Sequence, residues 1–171
     1  MRRALIVPFV VALSAVACST GGPPGAFTRL NERMPQLSGA TLSGGTFGPA
    51  QYRGKVLVIN FWNTFCPPCR REMPSLQSLF SQVGGQGVTF VGVDENDNGG
   101  AARGYLAKLG VRYPSLSDRN TLASAFHVPY LPATIVVSQQ GIERFRAVGE
   151  QNESFVLGLI KILDPQLDTT D

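Results

Sequence analysis

Cys66 and Cys69 are separated by Pro67-Pro68, and the pair follows closely on Val56-Leu57-Val58-Ile59-Asn60-Phe61-Trp62, an almost unbroken apolar run. If the cysteines open a helix, residues three apart share one face of its first turn, and their sulfurs come within bonding distance without backbone movement. Such a pair cycles between dithiol and disulfide. A helix N-terminus also offers unpaired amide N–H groups and the positive end of the dipole, both of which favour thiolate over thiol at Cys66. Pro67 and Pro68 carry no N–H, so the donors of that turn fall mainly to Cys69 and Arg70, while the prolines fix φ and stiffen the segment. Arg70 and Arg71 add positive charge, which Glu72 partly opposes. Cys66 is therefore expected to ionise below the free-thiol value of about 8.5 and to attack, with Cys69 resolving the mixed disulfide.

Other uses of the pair fit less well. A disulfide that serves stability is expected to close a long loop, because a four-residue ring takes little entropy from the unfolded chain. The chain has three cysteines and one histidine, His127. Two thiols and an imidazole fall short of the four protein ligands of a structural zinc site unless carboxylates help.

The third cysteine, Cys18, belongs to the leader. Arg2 and Arg3, an apolar stretch from about Ala4 to Val16, and the small residues Ala15 and Ala17 make the three parts of an export signal. That stretch is short for a membrane span. Ala15-Val16-Ala17 fits a small-x-small cleavage site and also resembles the lipobox of bacterial lipoproteins, which ends in a cysteine that becomes lipidated; Ala15 stands where leucine is commonest. The expected organisation is a signal peptide at 1–17, Cys18 with a flexible tether through residue 34, and one domain at 35–171. Fifteen basic and twelve acidic residues become thirteen and twelve once Arg2 and Arg3 are removed, so the net charge falls from +3 to +1. So small an excess gives no argument for a nucleic-acid partner. A hydrophobic fraction of 43% with 16% charged residues suits one packed domain.

The elements that must hold the cysteines are legible in the periodicity. Residues 56–62 read as a central strand buried on both faces. Met73, Leu76, Leu79 and Phe80 recur at helical spacing up to Gly84-Gly85, and 88–93 reads as a second buried strand, which makes a parallel crossover. Tyr105, Leu106 and Leu109 mark a helix ending at Gly110, and Asp118 is placed to cap a short helix carrying Leu122, Ala125 and Phe126. Residues 133–137 and 142–148 flank Gly141 as an antiparallel hairpin, and Phe155, Val156, Leu159, Ile160 and Leu163 mark a last helix limited by Pro165. Leu37, Leu42 and Phe47 are isolated anchors of a small hairpin ahead of the first core strand. The expected class is an α/β thioredoxin-like fold: a mixed sheet of a parallel pair plus an antiparallel hairpin, helices on both faces and an N-terminal hairpin extension.

The run from Val56 through Cys66-Pro67-Pro68-Cys69-Arg70 to Glu72-Met73-Pro74, with Tyr113-Pro114, Asp118, Leu131-Pro132-Ala133-Thr134 and Gly141, resembles the TlpA/ResA-like thiol-disulfide oxidoreductases of the thioredoxin-like superfamily. The resemblance covers roughly residues 35 to 165. It implies a cis peptide between Leu131 and Pro132, placed beside the cysteines and presenting backbone groups to an extended substrate segment. It also implies an acid that moves the proton of Cys69. Many thioredoxins carry a buried aspartate in the strand before the cysteines, but Asn60 stands there and does not titrate. ResA-like members resemble a variant with the acid after the second core strand, where Glu95 and Asp97 are the candidates. Trp62 and Phe65 are assigned to core and rim packing, bordering the cysteine pocket.

The function implied is thiol-disulfide exchange with protein substrates outside the cytoplasm, by a monomer with no cofactor, anchored to the bacterial membrane through Cys18 or, if cleaved ordinarily, secreted. The family's best-known task is reducing apocytochrome c before haem attachment, with electrons from a membrane transporter of the CcdA kind. Disulfide formation in oxidative folding is the rival in the same chemistry. A copper chaperone resembling the Sco group, using His127, is the rival from another class, although that group spaces its cysteines one residue wider.

Overall fold

The computed structural model describes residues 27–169; the expected export signal, Cys18 and the first part of the tether lie outside them. In chain order the elements are β1 (Phe27–Arg33), β2 (Gly39–Ala40), β3 (Thr46–Phe47), α1 (Pro49–Tyr52), β4 (Val56–Trp62), α2 (Pro67–Val83), β5 (Val88–Glu95), α3 (Gly99–Leu109), β6 (Ser115–Asp118), α4 (Thr121–Ala125), β7 (Ala133–Val137), β8 (Ile142–Val148) and α5 (Glu153–Leu163). Six strands form one mixed sheet in the order β1-β8-β7-β4-β5-β6, and β2-β3 make a separate small hairpin. β4 is buried at every residue because it lies inside the sheet with both faces covered. It runs parallel to β5, which runs parallel to β6, and antiparallel to β7.

Side-chain parity divides the core. Leu57, Ile59 and Phe61 of β4 join Val91, Val93, Ile135, Leu37 and Phe126 on one face. Val58 faces the other way with Phe90 and Val136, under Leu76 and Leu79 of α2 and Val156, Leu159 and Ile160 of α5. Trp62 shares that second face and packs with Met73 of α2 and Ala102 of α3. The short helix α4 is held where it starts by Asp118, whose carboxylate accepts from the amides of Thr121 (3.1 Å), Leu122 (2.9 Å) and Ala123 (3.2 Å). This is the capping role read from the sequence.

Two features differ from the sequence reading. The ordered domain begins before residue 35, because Phe27–Arg33 pairs antiparallel with β8 as an edge strand. Phe27 fixes it there, its ring meeting Phe145 at 5.5 Å and Phe155 at 5.7 Å. Ser115–Asp118 is a further parallel strand, too short and polar for periodicity to mark. As the helical spacing up to Gly84 implied, α2 continues through Pro74, which gives up one amide donor without ending a helix whose apolar side is enclosed by the core.

Candidate active site

β4 ends at Trp62 and the chain turns through Asn63, Thr64 and Phe65 into α2, with Cys66 as the residue that caps it. The prolines at the first two helical positions forgo amides that have no helical partner there. The first available amide, that of Cys69, donates to Cys66 Sγ at 3.2 Å. The two cysteines form a disulfide with an S–S distance of 1.99 Å and Cα atoms 5.3 Å apart. Their exposure is unequal: Cys66 retains 8% and Cys69 none. An incoming sulfur therefore reaches Cys66, while Cys69 is reached only from within the protein.

The Leu131–Pro132 peptide is cis. Leu131 packs against the cluster containing Trp62, Cys66 and Cys69, and the Pro132 carbonyl accepts from the Gly149 amide at 2.8 Å. Trp62 is fully buried, stacked on Tyr105 at 5.8 Å, and the Arg70 guanidinium lies over that tyrosine ring at 5.5 Å. Phe65 behaves differently, being 84% exposed immediately before Cys66, and Tyr130 is 67% exposed just before Leu131. The rim of the cysteine site thus carries two uncovered aromatic rings.

Glu72, read from the sequence only as an opposing charge, is fully buried. It lies three residues beyond Cys69 on the same side of α2. Its carboxyl accepts from Asn60 Nδ2 at 3.1 Å, Thr134 Oγ1 at 3.0 Å and the Gln151 amide at 3.2 Å. Strand register explains the convergence, because Asn60 of β4 stands directly opposite Thr134 of β7. Burial pushes the Glu72 carboxyl up to about 8, and the three donors offset only part of that penalty. An acid titrating close to neutral pH beside a resolving thiol is suited to give or take its proton. The signal was present in the sequence: Glu72 falls in the stripe of Cys69, Met73 and Leu76, where an exposed charge does not belong.

The two acids named from the sequence lie at the end of β5. Asp97 accepts from the Thr64 amide at 2.6 Å and the Thr64 hydroxyl at 2.8 Å, so it holds the loop that leads into Cys66. Glu95 is half-buried and pushed up to about 7, by burial first and then by the charge of Asp118. His127 is exposed and near Glu143, whose strand position pairs with Val137, opposite Leu57 at the start of β4. The cysteines follow the other end of that strand, so the fold does not bring the imidazole to the thiols.

A mixed sheet of this order, with a disulfide at the mouth of α2 beside a cis proline, defines a thioredoxin-like thiol-disulfide oxidoreductase. The chain belongs to the AhpC/TSA family, whose model matches residues 30–145, and within it is ResA/TlpA-like. It is similar to thiol-disulfide oxidoreductase ResA of Halalkalibacterium halodurans, at 26% identity over 167 residues that cover 97% of this chain and 95% of that protein. The soluble secreted antigen MPT53 of Mycobacterium tuberculosis is 33% identical over 116 residues, covering 67% of this chain and 65% of that one. The crystal structure of a thioredoxin-family thiol:disulfide interchange protein from Chlorobium tepidum TLS superposes with a TM-score of 0.73 at 27% identity, covering 78% of this chain and 96% of that chain.

Proposed function

We propose that this oxidoreductase works outside the cytoplasm, held to the membrane through lipidated Cys18, and that it acts chiefly as a reductant of protein disulfides. Apocytochrome c is the proposed substrate, with electrons supplied by a membrane thiol transporter of the CcdA kind. The leader at Arg2–Cys18 and the similarity to a secreted antigen support the location. The observation that carries the chemistry is the unequal burial of the two sulfurs above a buried acid.

In the reducing direction, the Cys66 thiolate attacks one sulfur of a substrate disulfide, and the other sulfur leaves as a thiolate that takes up a proton. Glu72, once ionised, accepts the proton of Cys69. The Cys69 thiolate then attacks Cys66 Sγ, releasing the second substrate sulfur and leaving Cys66 and Cys69 joined. Two electrons have passed to the substrate. When the pair is reduced again, Glu72 returns its proton to Cys69. The cis Leu131–Pro132 segment supplies the backbone edge against which an extended substrate lies.

Equilibration of the full chain with glutathione buffers tests the direction. A reduction potential near about −270 mV supports a reductant, and one near about −120 mV overturns that reading in favour of an oxidant. Replacing Cys18 by alanine should move the protein from the membrane fraction to the soluble fraction; no change in partition overturns the anchor.

A further inference from the structure

The loop between β4 and α2 sets where Cys66 stands, and one acid holds it. Both Asp97 oxygens are used on Thr64, its amide at 2.6 Å and its hydroxyl at 2.8 Å. Within the loop, Asn63 accepts from the Phe65 amide through its side chain at 3.0 Å and from the Cys66 amide through its carbonyl at 3.4 Å. Thr64 is thus the point at which the cysteine loop is fastened to the segment that follows β5.

Asp94 lies behind this clamp. It is 0% exposed, and neither of its carboxyl oxygens meets an N–H or hydroxyl donor. Strand register sets it between Trp62 of β4 and Ser117 of β6. A buried carboxylate with no donor keeps its proton instead of ionising. Burial and then contact with Asp97 push Asp94 up to about 8, with the charge of Glu95 acting in the same direction. A neutral carboxyl must direct its O–H at an acceptor, and the Asp97 carboxylate is within hydrogen-bonding reach.

We propose that Asp94 is a positioning residue: it donates its carboxylic proton to Asp97 and thereby fixes the Asp97–Thr64 clamp that orients the loop running into Cys66. One proton is held between two carboxyls, so the pair carries a single negative charge. The charges acting around it are also acidic: Glu95 on β5 and, through its effect on Glu95, Asp118 on β6. On α3, the guanidinium of Arg103 reaches toward Gly99 and Gly100, at the mouth of that helix. Loss of the shared proton sets two negative charges against each other and loosens Thr64. The inference concerns thiol exchange itself and holds for either direction of electron flow.

Two measurements test it. Site-resolved carboxyl ¹³C NMR of the unaltered full chain should show Asp94 keeping its proton to about pH 8, with the Asp97 resonance moving as it titrates; titration of Asp94 in the ordinary carboxylate range overturns the proposal. Separately, the alkylation rate of Cys66 in the reduced protein at pH 7 should stay within about twofold of the parent in Asp94→Asn, whose amide still donates to Asp97. It should change by about three- to tenfold in Asp94→Ala, which cannot donate. Equal behaviour of the two variants overturns the proposal. Because the titration needs no substitution, failure of Asp94→Ala to fold leaves the proposal open to refutation.

Discussion

The two faces of the central sheet are made by the same strands, both carry apolar core, and they part ways toward the cysteine end. On one, Leu57, Ile59 and Phe61 meet Val91, Val93, Ala133, Ile135 and Val137, with Phe126 closing over them, all buried and all apolar. On the other, register sets Asn60 between Gly92 and Thr134 and places Trp62 beside Asp94, with Glu72 and Cys69 of α2 and Cys66 at its cap above. Because side chains alternate along a strand, each of β4, β5 and β7 contributes one apolar row and a second row that is apolar at Val58, Phe90 and Val136 but polar toward the cysteines, at Asn60, Asp94 and Thr134. Burial of each large apolar side chain on the first face stabilises the fold by about 1.5–3 kcal/mol. The second face holds acids that burial keeps neutral near pH 7. Gly92 shows how crowded it is, since a Cβ there would lie 2.1 Å from Ser115 Oγ and 2.8 Å from Trp62 Nε1.

The contrast can be broken most strongly at the sulfurs. Cys66→Ser should abolish turnover while leaving thermal stability of the reduced protein nearly unchanged. Cys69→Ser should accumulate a mixed disulfide with substrate, visible by non-reducing electrophoresis. On the scaffold face, Phe61→Ala should cost about 3–5 kcal/mol in denaturant unfolding with little change in reduction potential. A large shift in potential would show that the faces are not separable.

Glu72→Gln removes the titrating group but keeps the shape. It should slow resolution by Cys69 by about tenfold to a hundredfold, measured as decay of the mixed disulfide in stopped flow, while attack by Cys66 changes less. The pH dependence of stability follows from the same burial. Glu72 rises from 4.5 to about 8 on folding, so between those values the folded chain keeps a proton that the unfolded chain has lost. Stability contributed there is greatest below about pH 4.5, falls as pH rises and levels off above about 8, with a slope of up to about 1.4 kcal/mol per pH unit. Asp94 acts in the same sense from 3.8 to about 8. Urea midpoints taken from pH 5 to 9 should decline, and Glu72→Gln should flatten the decline. The smallest effect is expected at Arg71, whose 2.7 Å bridge to Glu150 joins two exposed side chains. Arg71→Ala should change stability by less than about 1 kcal/mol.

The sequence by itself determined the parts whose evidence is local. The spacing of Cys66 and Cys69, the unbroken apolar run of β4, the hairpin around Gly141 and the cap at Asp118 are all written within a few residues, where chain geometry alone dictates who meets whom. The resemblance added the cis bond at Pro132, which spacing does not specify. The tertiary structure decided what depends on distant partners. Glu72 reads as one more charge beside Arg70 and Arg71 until Thr134 and Gln151, 62 and 79 residues away, enclose it. Asp97 reads as one of two candidate acids for Cys69 until Thr64, 33 residues earlier, is seen to occupy both its oxygens. Phe27–Arg33 reads as tether until β8 pairs with it. Periodicity records which face a residue takes along its own element. Which carboxyl is stripped of water is set by the packing of elements remote in sequence, and desolvation is what moves its pKa.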